Sequence, residues 1–150
     1  MTRPDLSFVA HNVAKFGDNP GPPHQKAMQN RLQYLKRAMD IGVTYGGGTA
    51  DMKLSAWVDA DHMTCLDTRC SVSGAAVMLG GEVINVFSCA QKVAAAASSE
   101  LEHVALEEVV NELHFLRQVK AFIMPPIDQE TRIYEDNEGV IKMANNGFSS

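Results

Sequence analysis

Apolar residues recur at helical spacing near the start of the chain. Their spacing predicts one helix over residues 5–16 and a second over residues 23–39. The stretch between them, residues 17–23, holds three prolines and two glycines, and this content predicts a turn. Residues 41–45 predict a short strand, and the three glycines that follow, 46–48, predict a flexible joint where we place a domain boundary.

Beyond the joint, strand-like and helix-like patterns succeed one another. The pair Gly80-Gly81 between two short apolar runs predicts a hairpin, and Pro125-Pro126 predicts the end of a long helix. Trp57, in the first of these strands, is expected in the core. The order of strand, strand, strand, helix, strand and helix indicates an α/β fold, preceded by a short mainly helical segment. The predicted strands are 54–59, 75–79, 83–87 and 131–134, and the predicted helices are 99–122 and 138–145.

The composition is that of a globular protein. The chain has 150 residues, of which 45% are hydrophobic and 21% charged, and this suffices for one compact domain with an additional segment. No apolar run reaches membrane-spanning length, and the first residues do not lead into a signal-peptide core. The three cysteines cannot all pair within the chain, which fits a reducing compartment. We therefore expect an intracellular, cytoplasmic protein without a membrane partner, with the nucleus as the other compartment left open.

Charge is divided unevenly along the chain. Residues 1–48 hold six basic and three acidic side chains and carry +3, whereas residues 49–150 hold seven and fifteen and carry −8. An acidic domain does not attract phosphate over long distances. Binding of a nucleic acid would therefore need a metal ion, the basic leading segment or a further partner.

Carboxylates stand at three predicted junctions between strands and helices. Asp59 and Asp61 follow the first apolar strand, Glu102 lies near the start of the long helix, and Asp136 follows the fourth strand. Carboxylates that a fold gathers from distant parts of the chain form the hard-oxygen pocket that Mg²⁺ prefers. The three clusters therefore indicate phosphoryl chemistry and, in particular, cleavage of a nucleic acid, with Asp61 as the reserve candidate.

Each of these acidic residues also has an ordinary structural interpretation. Glu102 shares the apolar stripe of its helix with Leu106, where a charge is unusual unless something pairs with it. Together with Ser99, however, Glu102 would also form a capping box. Asp59 would serve equally as a turn residue and Asp136 as a helix cap. From the residues alone, both interpretations stay open.

Short motifs in order along nearly the whole chain carry a family resemblance. They are Arg3-Pro4-Asp5-Leu6-Ser7, Arg31-Leu32-Gln33-Tyr34-Leu35-Lys36, Asp59-Ala60-Asp61, Ser71-Val72-Ser73-Gly74, Leu79-Gly80-Gly81, Gln91-Lys92, Ser98-Ser99-Glu100-Leu101-Glu102 and Tyr134-Glu135-Asp136-Asn137. With these motifs, the chain resembles the end of a copia-type LTR retrotransposon polyprotein, where reverse transcriptase runs into ribonuclease H.

The resemblance implies a ribonuclease H-like fold, with a mixed sheet in the order βββαβα, that cleaves the RNA strand of RNA–DNA hybrids. It implies that Asp59, Glu102 and Asp136 are catalytic and bind two Mg²⁺ ions, or Mn²⁺ in their place. Residues 1–48 would be the tail of reverse transcriptase, and residues 49–150 the ribonuclease H-like domain. The implied partners are an RNA–DNA hybrid and the rest of the retroelement polyprotein.

The chain departs from the family pattern at several positions. Cys89 and Ala90 stand where the family has basic residues, and Glu135 adds a negative charge beside Asp136. The family's fourth acidic motif would fall beyond Ser150, so we expect a domain truncated at its C-terminus, with weak or no activity as an isolated chain.

Two other functions stay open at this point. One is a catalytically inactive relic, or a module repurposed for binding nucleic acid or protein. The other is an integrase- or transposase-like nuclease, which shares the fold. Such nucleases usually place two aspartates on strands before a glutamate on a late helix, whereas here Glu102 falls between Asp59 and Asp136, the order that favours ribonuclease H.

Overall fold

The computed structural model describes residues 3–47, 52–61, 70–91, 98–124 and 130–146. Four helices and four strands lie within these ranges, after a short 3₁₀ helix at Pro4–Leu6. Among the described residues, none of the helices combines the length and the apolar character needed to cross a membrane. The elements are α1 (Ser7–Ala14), α2 (Pro22–Arg37), β1 (Leu54–Asp61), β2 (Val72–Leu79), β3 (Glu82–Ala90), α3 (Ser98–Ile123), β4 (Arg132–Tyr134) and α4 (Glu138–Asn146).

The four strands form one mixed sheet in the order β3-β2-β1-β4. β2 pairs antiparallel with both β1 and β3, whereas β4 pairs parallel with β1, with Trp57 opposite Tyr134. This arrangement confirms the predicted α/β class and mixed sheet. Because β1 and β4 run in the same direction, the residues that follow Trp57 and Tyr134 lie at the same end of the sheet.

The turn between β2 and β3 is the hairpin that the glycine pair predicts. Gly80 and Gly81 both have positive φ angles, 62° and 87°. Residues with a Cβ atom rarely adopt this conformation, and a two-residue hairpin turn that follows the twist of its strands requires it. The two glycines therefore explain why the chain reverses here and β3 lies beside β2.

The core lies between the sheet and α3. Alternate residues of β1, Leu54, Ala56 and Val58, are buried against a stripe of α3 that recurs every four residues. The apolar residues at helical spacing on α3 and the alternate apolar residues of β1 thus pack into one cluster. The stripe of α3 consists of Ala105, Val109 and Leu113.

Trp57 corrects one expectation, because its side chain is not in this core. Strand alternation places it on the face of β1 opposite Val58, and 45% of its surface is exposed. Its ring stacks on Tyr134 of β4, with ring centroids 4.6 Å apart and 17° between the planes. On that face of the sheet α1 packs against β3, so the β1–β4 side keeps an open aromatic surface.

The leading segment corrects a second expectation, since residues 41–45 do not form a strand. They pair with no neighbouring strand among the described residues, and Ile41 is 53% exposed. Instead, single contacts tie this part to β3: Tyr45 Oη donates to the backbone oxygen of Val83 at 2.9 Å, and the Gly46 N–H donates to Glu82 Oε1 at 2.7 Å. The predicted boundary at residues 46–48 stays a prediction, and Gly48 lies outside the described residues.

Candidate metal centre

Two of the predicted aspartates lie at one end of the sheet because β1 and β4 are parallel. Asp59 follows Trp57 by two residues in β1, and Asp136 follows Tyr134 by two residues after β4. Both side chains are exposed. Asp136 is not the cap of α4, since Asn137 Oδ1 accepts the N–H groups of Gly139 and Val140 at 3.0 and 3.3 Å. The helix-cap interpretation of Asp136 is therefore wrong, and its carboxylate is available for another role.

Glu102 approaches this end of the sheet from the first turns of α3. It is only 6% exposed, and the backbone N–H of Ala60 in β1 donates to its carboxylate. Its Oε2 atom is buried and has no hydrogen-bond partner within the described chain. α3 begins at Ser98, and the capping box of Ser99 and Glu102 stays a prediction. A buried carboxylate oxygen without a partner is costly in a protein unless a cation compensates it.

The three predicted carboxylates come together. Asp59, Glu102 and Asp136 each offer an oxygen, and these oxygens all lie within 4.8 Å of one another. Such a set of hard oxygen atoms could hold a divalent cation. Asp61, the reserve candidate, is exposed at the end of β1 and is not part of this group among the described residues.

The electrostatics of the centre reflect this crowding. Burial is the main reason why the pKa of Glu102 rises from 4.5 to about 7, and the negative charges of Glu135, Asp59 and Asp136 add to the effect. The hydrogen bond from Ala60 opposes the shift. In the absence of a cation, burial and the neighbouring negative charges therefore disfavour the charged form of Glu102.

Glu135 is a participant that the sequence analysis did not assign to the site. Burial raises its pKa, and the charges of Asp136 and Asp59 act in the same direction. No local sequence signal identifies it, because residue 135 lies beyond the end of β4 and its position beside the site depends on tertiary packing.

A buried amide connects the start of α3 to the sheet. Gln91, which follows β3 and is 1% exposed, donates through Nε2 to Ser73 Oγ at 3.0 Å and to the backbone oxygen of Leu101 at 2.9 Å. Its own N–H donates to the backbone oxygen of Ser71 at 2.8 Å. Since Leu101 directly precedes Glu102, these hydrogen bonds fix the turn of α3 that carries the buried carboxylate.

A groove of about 600 Å³ runs beside the carboxylates, on the face of the sheet opposite α3. Asp59 and Asp136 lie at its edge, next to the stacked rings of Trp57 and Tyr134, and Phe8 of α1 lines it from the other side. The groove thus offers apolar ring surface directly beside the candidate metal ligands.

Comparisons with known proteins relate the chain to transposon polyproteins, although no family model matches it. It is 30% identical to the retrovirus-related Pol polyprotein from transposon TNT 1-94 of Nicotiana tabacum, over 98% of this chain and 11% of that protein. It is 28% identical to the retrovirus-related Pol polyprotein from transposon RE2 of Arabidopsis thaliana, over 97% of this chain and 10% of that protein. Secreted RxLR effector protein 161 of Plasmopara viticola is 33% identical, over 77% of this chain and 81% of that protein. The chain thus spans about a tenth of the length of the Pol polyproteins that it matches.

Proposed function

Since this chain belongs to the family of the retrovirus-related Pol polyproteins of copia-type transposons, we propose that it carries their ribonuclease H-like part. In this role residues 49–150 hydrolyse the RNA strand of RNA–DNA hybrids during reverse transcription. Residues 1–48 are the tail of the reverse transcriptase, and the rest of the polyprotein is the physiological partner. Asp59, Glu102 and Asp136 bind two divalent cations, Mg²⁺ or Mn²⁺.

One observation carries the proposal: three carboxylates from β1, α3 and the end of β4 converge within 4.8 Å. The chemistry of this set fits the proposed cations. Mg²⁺ and Mn²⁺ prefer carboxylate oxygens, and the buried Oε2 of Glu102 lacks a partner among the described residues. A cation would supply the compensating charge that this oxygen lacks.

The topology supports the same proposal. The four-stranded mixed sheet packed on α3 is compatible with a ribonuclease H-like fold. In chain order, the helical Glu102 lies between the strand-associated Asp59 and Asp136. An integrase- or transposase-like nuclease would usually have both aspartates before the glutamate in the chain. The order found here therefore supports hybrid cleavage over an integrase- or transposase-like function.

The residues around the centre have distinct tasks in the proposed reaction. Bound cations would supply positive charge that stabilises the negative charge developing at the scissile phosphate. Ala60, through its N–H, orients Glu102 at the base of the centre, while Asp59 and Asp136 face the open groove. Trp57 and Tyr134 provide ring surface on which a sugar or base can pack beside the reacting phosphate. Recognition of the hybrid then depends on its groove shape and 2′-hydroxyl groups.

Cleavage of a labelled RNA–DNA hybrid in the presence of Mg²⁺ or Mn²⁺ tests this function. We expect Asp136→Asn to reduce the cleavage rate by about a hundredfold or more, because removal of one preorganised charge commonly costs that much. Asp61→Asn is the control, since it removes an exposed carboxylate from outside the group, and it should stay within about threefold of the wild-type rate.

Equal cleavage by the wild type and Asp136→Asn would rule out the proposed site. If the wild type binds the hybrid but cleaves it with neither cation, the chain is instead an inactive binding module. If Asp61→Asn abolishes cleavage and Asp136→Asn does not, the metal centre contains the reserve residue Asp61 in place of Asp136.

A further inference from the structure

Glu135 lies in the turn between β4 and α4, directly before Asp136. Ile133, two residues earlier, packs against the core beneath α3. Glu135 itself lies one residue beyond the end of β4 and lines the groove together with Tyr134 and Asp136. It is therefore found at the same end of the sheet as the three candidate ligands.

The two oxygens of the Glu135 carboxylate are in different situations. Oε1 accepts hydrogen bonds from the backbone N–H groups of Asp136 and Asn137, at 3.1 and 3.0 Å. Oε2 is buried and has no hydrogen-bond partner within the described part of the chain. Oε1 therefore fixes the turn that presents Asp136, whereas Oε2 meets no hydrogen-bond donor from the described residues.

The charge of Glu135 lies beside the metal centre. Glu135 directly precedes the candidate ligand Asp136 and lines the same groove as Asp59 and Asp136. Glu135 is nevertheless not one of the three residues whose oxygens converge within 4.8 Å. Its influence is therefore that of a charge beside the ligand set, and a dication placed among the three ligands would relieve the repulsion.

We propose that Glu135 is a positioning residue of the metal centre, which holds the Asp136 turn through Oε1 and strengthens divalent-cation binding through the charge on Oε2. The inference rests on the proposed function, because it assumes the same cations at Asp59, Glu102 and Asp136. It assigns this chain a fourth carboxylate that acts on those cations without belonging to the converging set.

Three variants of the full chain separate the two contributions of Glu135. Glu135→Gln keeps an oxygen that can accept the two backbone N–H groups but removes the charge. Glu135→Ala removes both. Glu138→Gln is the control, because it removes the same charge three residues later from a side chain that is 84% exposed and paired with Lys142.

The measurement is calorimetric titration of each metal-free protein with MgCl₂ and with MnCl₂, together with its thermal unfolding in EDTA. We expect Glu135→Gln to weaken cation binding about tenfold, the order expected for one charge facing a dication in a partly solvated site. In EDTA the same variant should unfold at a higher temperature than the wild type, because a crowded charge is gone. Glu135→Ala should bind still more weakly than Glu135→Gln, and Glu138→Gln should stay within about twofold of the wild type.

The outcomes distinguish this inference from the proposed function. If the wild type binds Mg²⁺ and Mn²⁺ and Glu135→Gln binds them equally well, the inference is wrong while the metal centre stands. Equal binding by the alanine and glutamine variants would overturn the turn-holding role. If the wild type binds neither cation, the metal centre itself is wrong, and the inference falls with it. If Glu135 had only a structural role, Glu135→Gln would unfold at a lower temperature than the wild type in EDTA and would bind the cations with unchanged affinity. This is the opposite of the expected pattern.

Discussion

Glu102 is the residue at which stability and the proposed metal binding oppose each other. It is almost completely buried, one of its oxygens has no partner within the described residues, and its pKa is raised to about 7. The folded protein therefore holds this proton more tightly than the unfolded chain does. As a result, the free energy of unfolding of the metal-free protein falls as the pH rises from about 4.5 to about 7.

Glu102→Gln should accordingly stabilise the metal-free protein at pH 8 by an amount on the order of 1 to 3 kcal/mol. The gain should become small near pH 4, where the wild-type side chain is mostly neutral in both states. Urea unfolding in EDTA at the two pH values measures it, with Glu107→Gln as the control because Glu107 is exposed on the same helix. Adding Mg²⁺ should stabilise the wild type but not Glu102→Gln. A variant less stable than the wild type at pH 8 would contradict this account.

Between elements, the amide of Gln91 is the connection on which the site depends. It joins β2 to the first turns of α3 through Ser73 and the backbone oxygen of Leu101. Gln91→Ala should lower the free energy of unfolding by about 2 to 3 kcal/mol, because buried polar groups lose their partner and a cavity is left. Gln91→Ala should also weaken Mg²⁺ binding, since the turn of α3 that carries Glu102 loses the hydrogen bond that holds it. Gln118→Ala, at an exposed position of α3, is the control in both measurements. A change in stability below about 0.5 kcal/mol would show that α3 is held by other contacts.

The helices and strands also show how much of the fold and of the candidate site can be predicted from the sequence. The recurrence of apolar residues on α3 and the glycine pair at Gly80 were sufficient for the long helix and the hairpin, because both are local properties. Trp57 was misplaced because alternation defines two faces of a strand but not which face another element covers. Residues 41–45 have strand-forming side chains but pair with no strand among the described residues. Glu135 was overlooked for a similar reason, since its proximity to Glu102 depends on tertiary packing.

For the whole molecule, the balance of charge limits how the hybrid of the proposed function could be bound. The chain carries a net charge of −5, and its positive excess lies in residues 1–48, so the part that holds the carboxylates is strongly acidic. Phosphate backbones are repelled by such a surface unless a cation intervenes. The aromatic surface of Trp57 and Tyr134 adds contact area but no charge.

Hybrid binding should therefore depend on the divalent cation. With an unmodified RNA–DNA hybrid, measured directly after mixing and before cleavage is appreciable, we expect Mg²⁺ to tighten binding at least about tenfold over EDTA in fluorescence anisotropy. Glu102→Gln should bind weakly in both conditions, because its metal centre is lost. Tight binding in EDTA would contradict this and would point to the basic side chains of α2, such as Arg31 and Lys36, as the main phosphate contacts. In that case the affinity would fall steeply with added salt, whereas binding through the metal centre would respond mainly to the concentration of Mg²⁺.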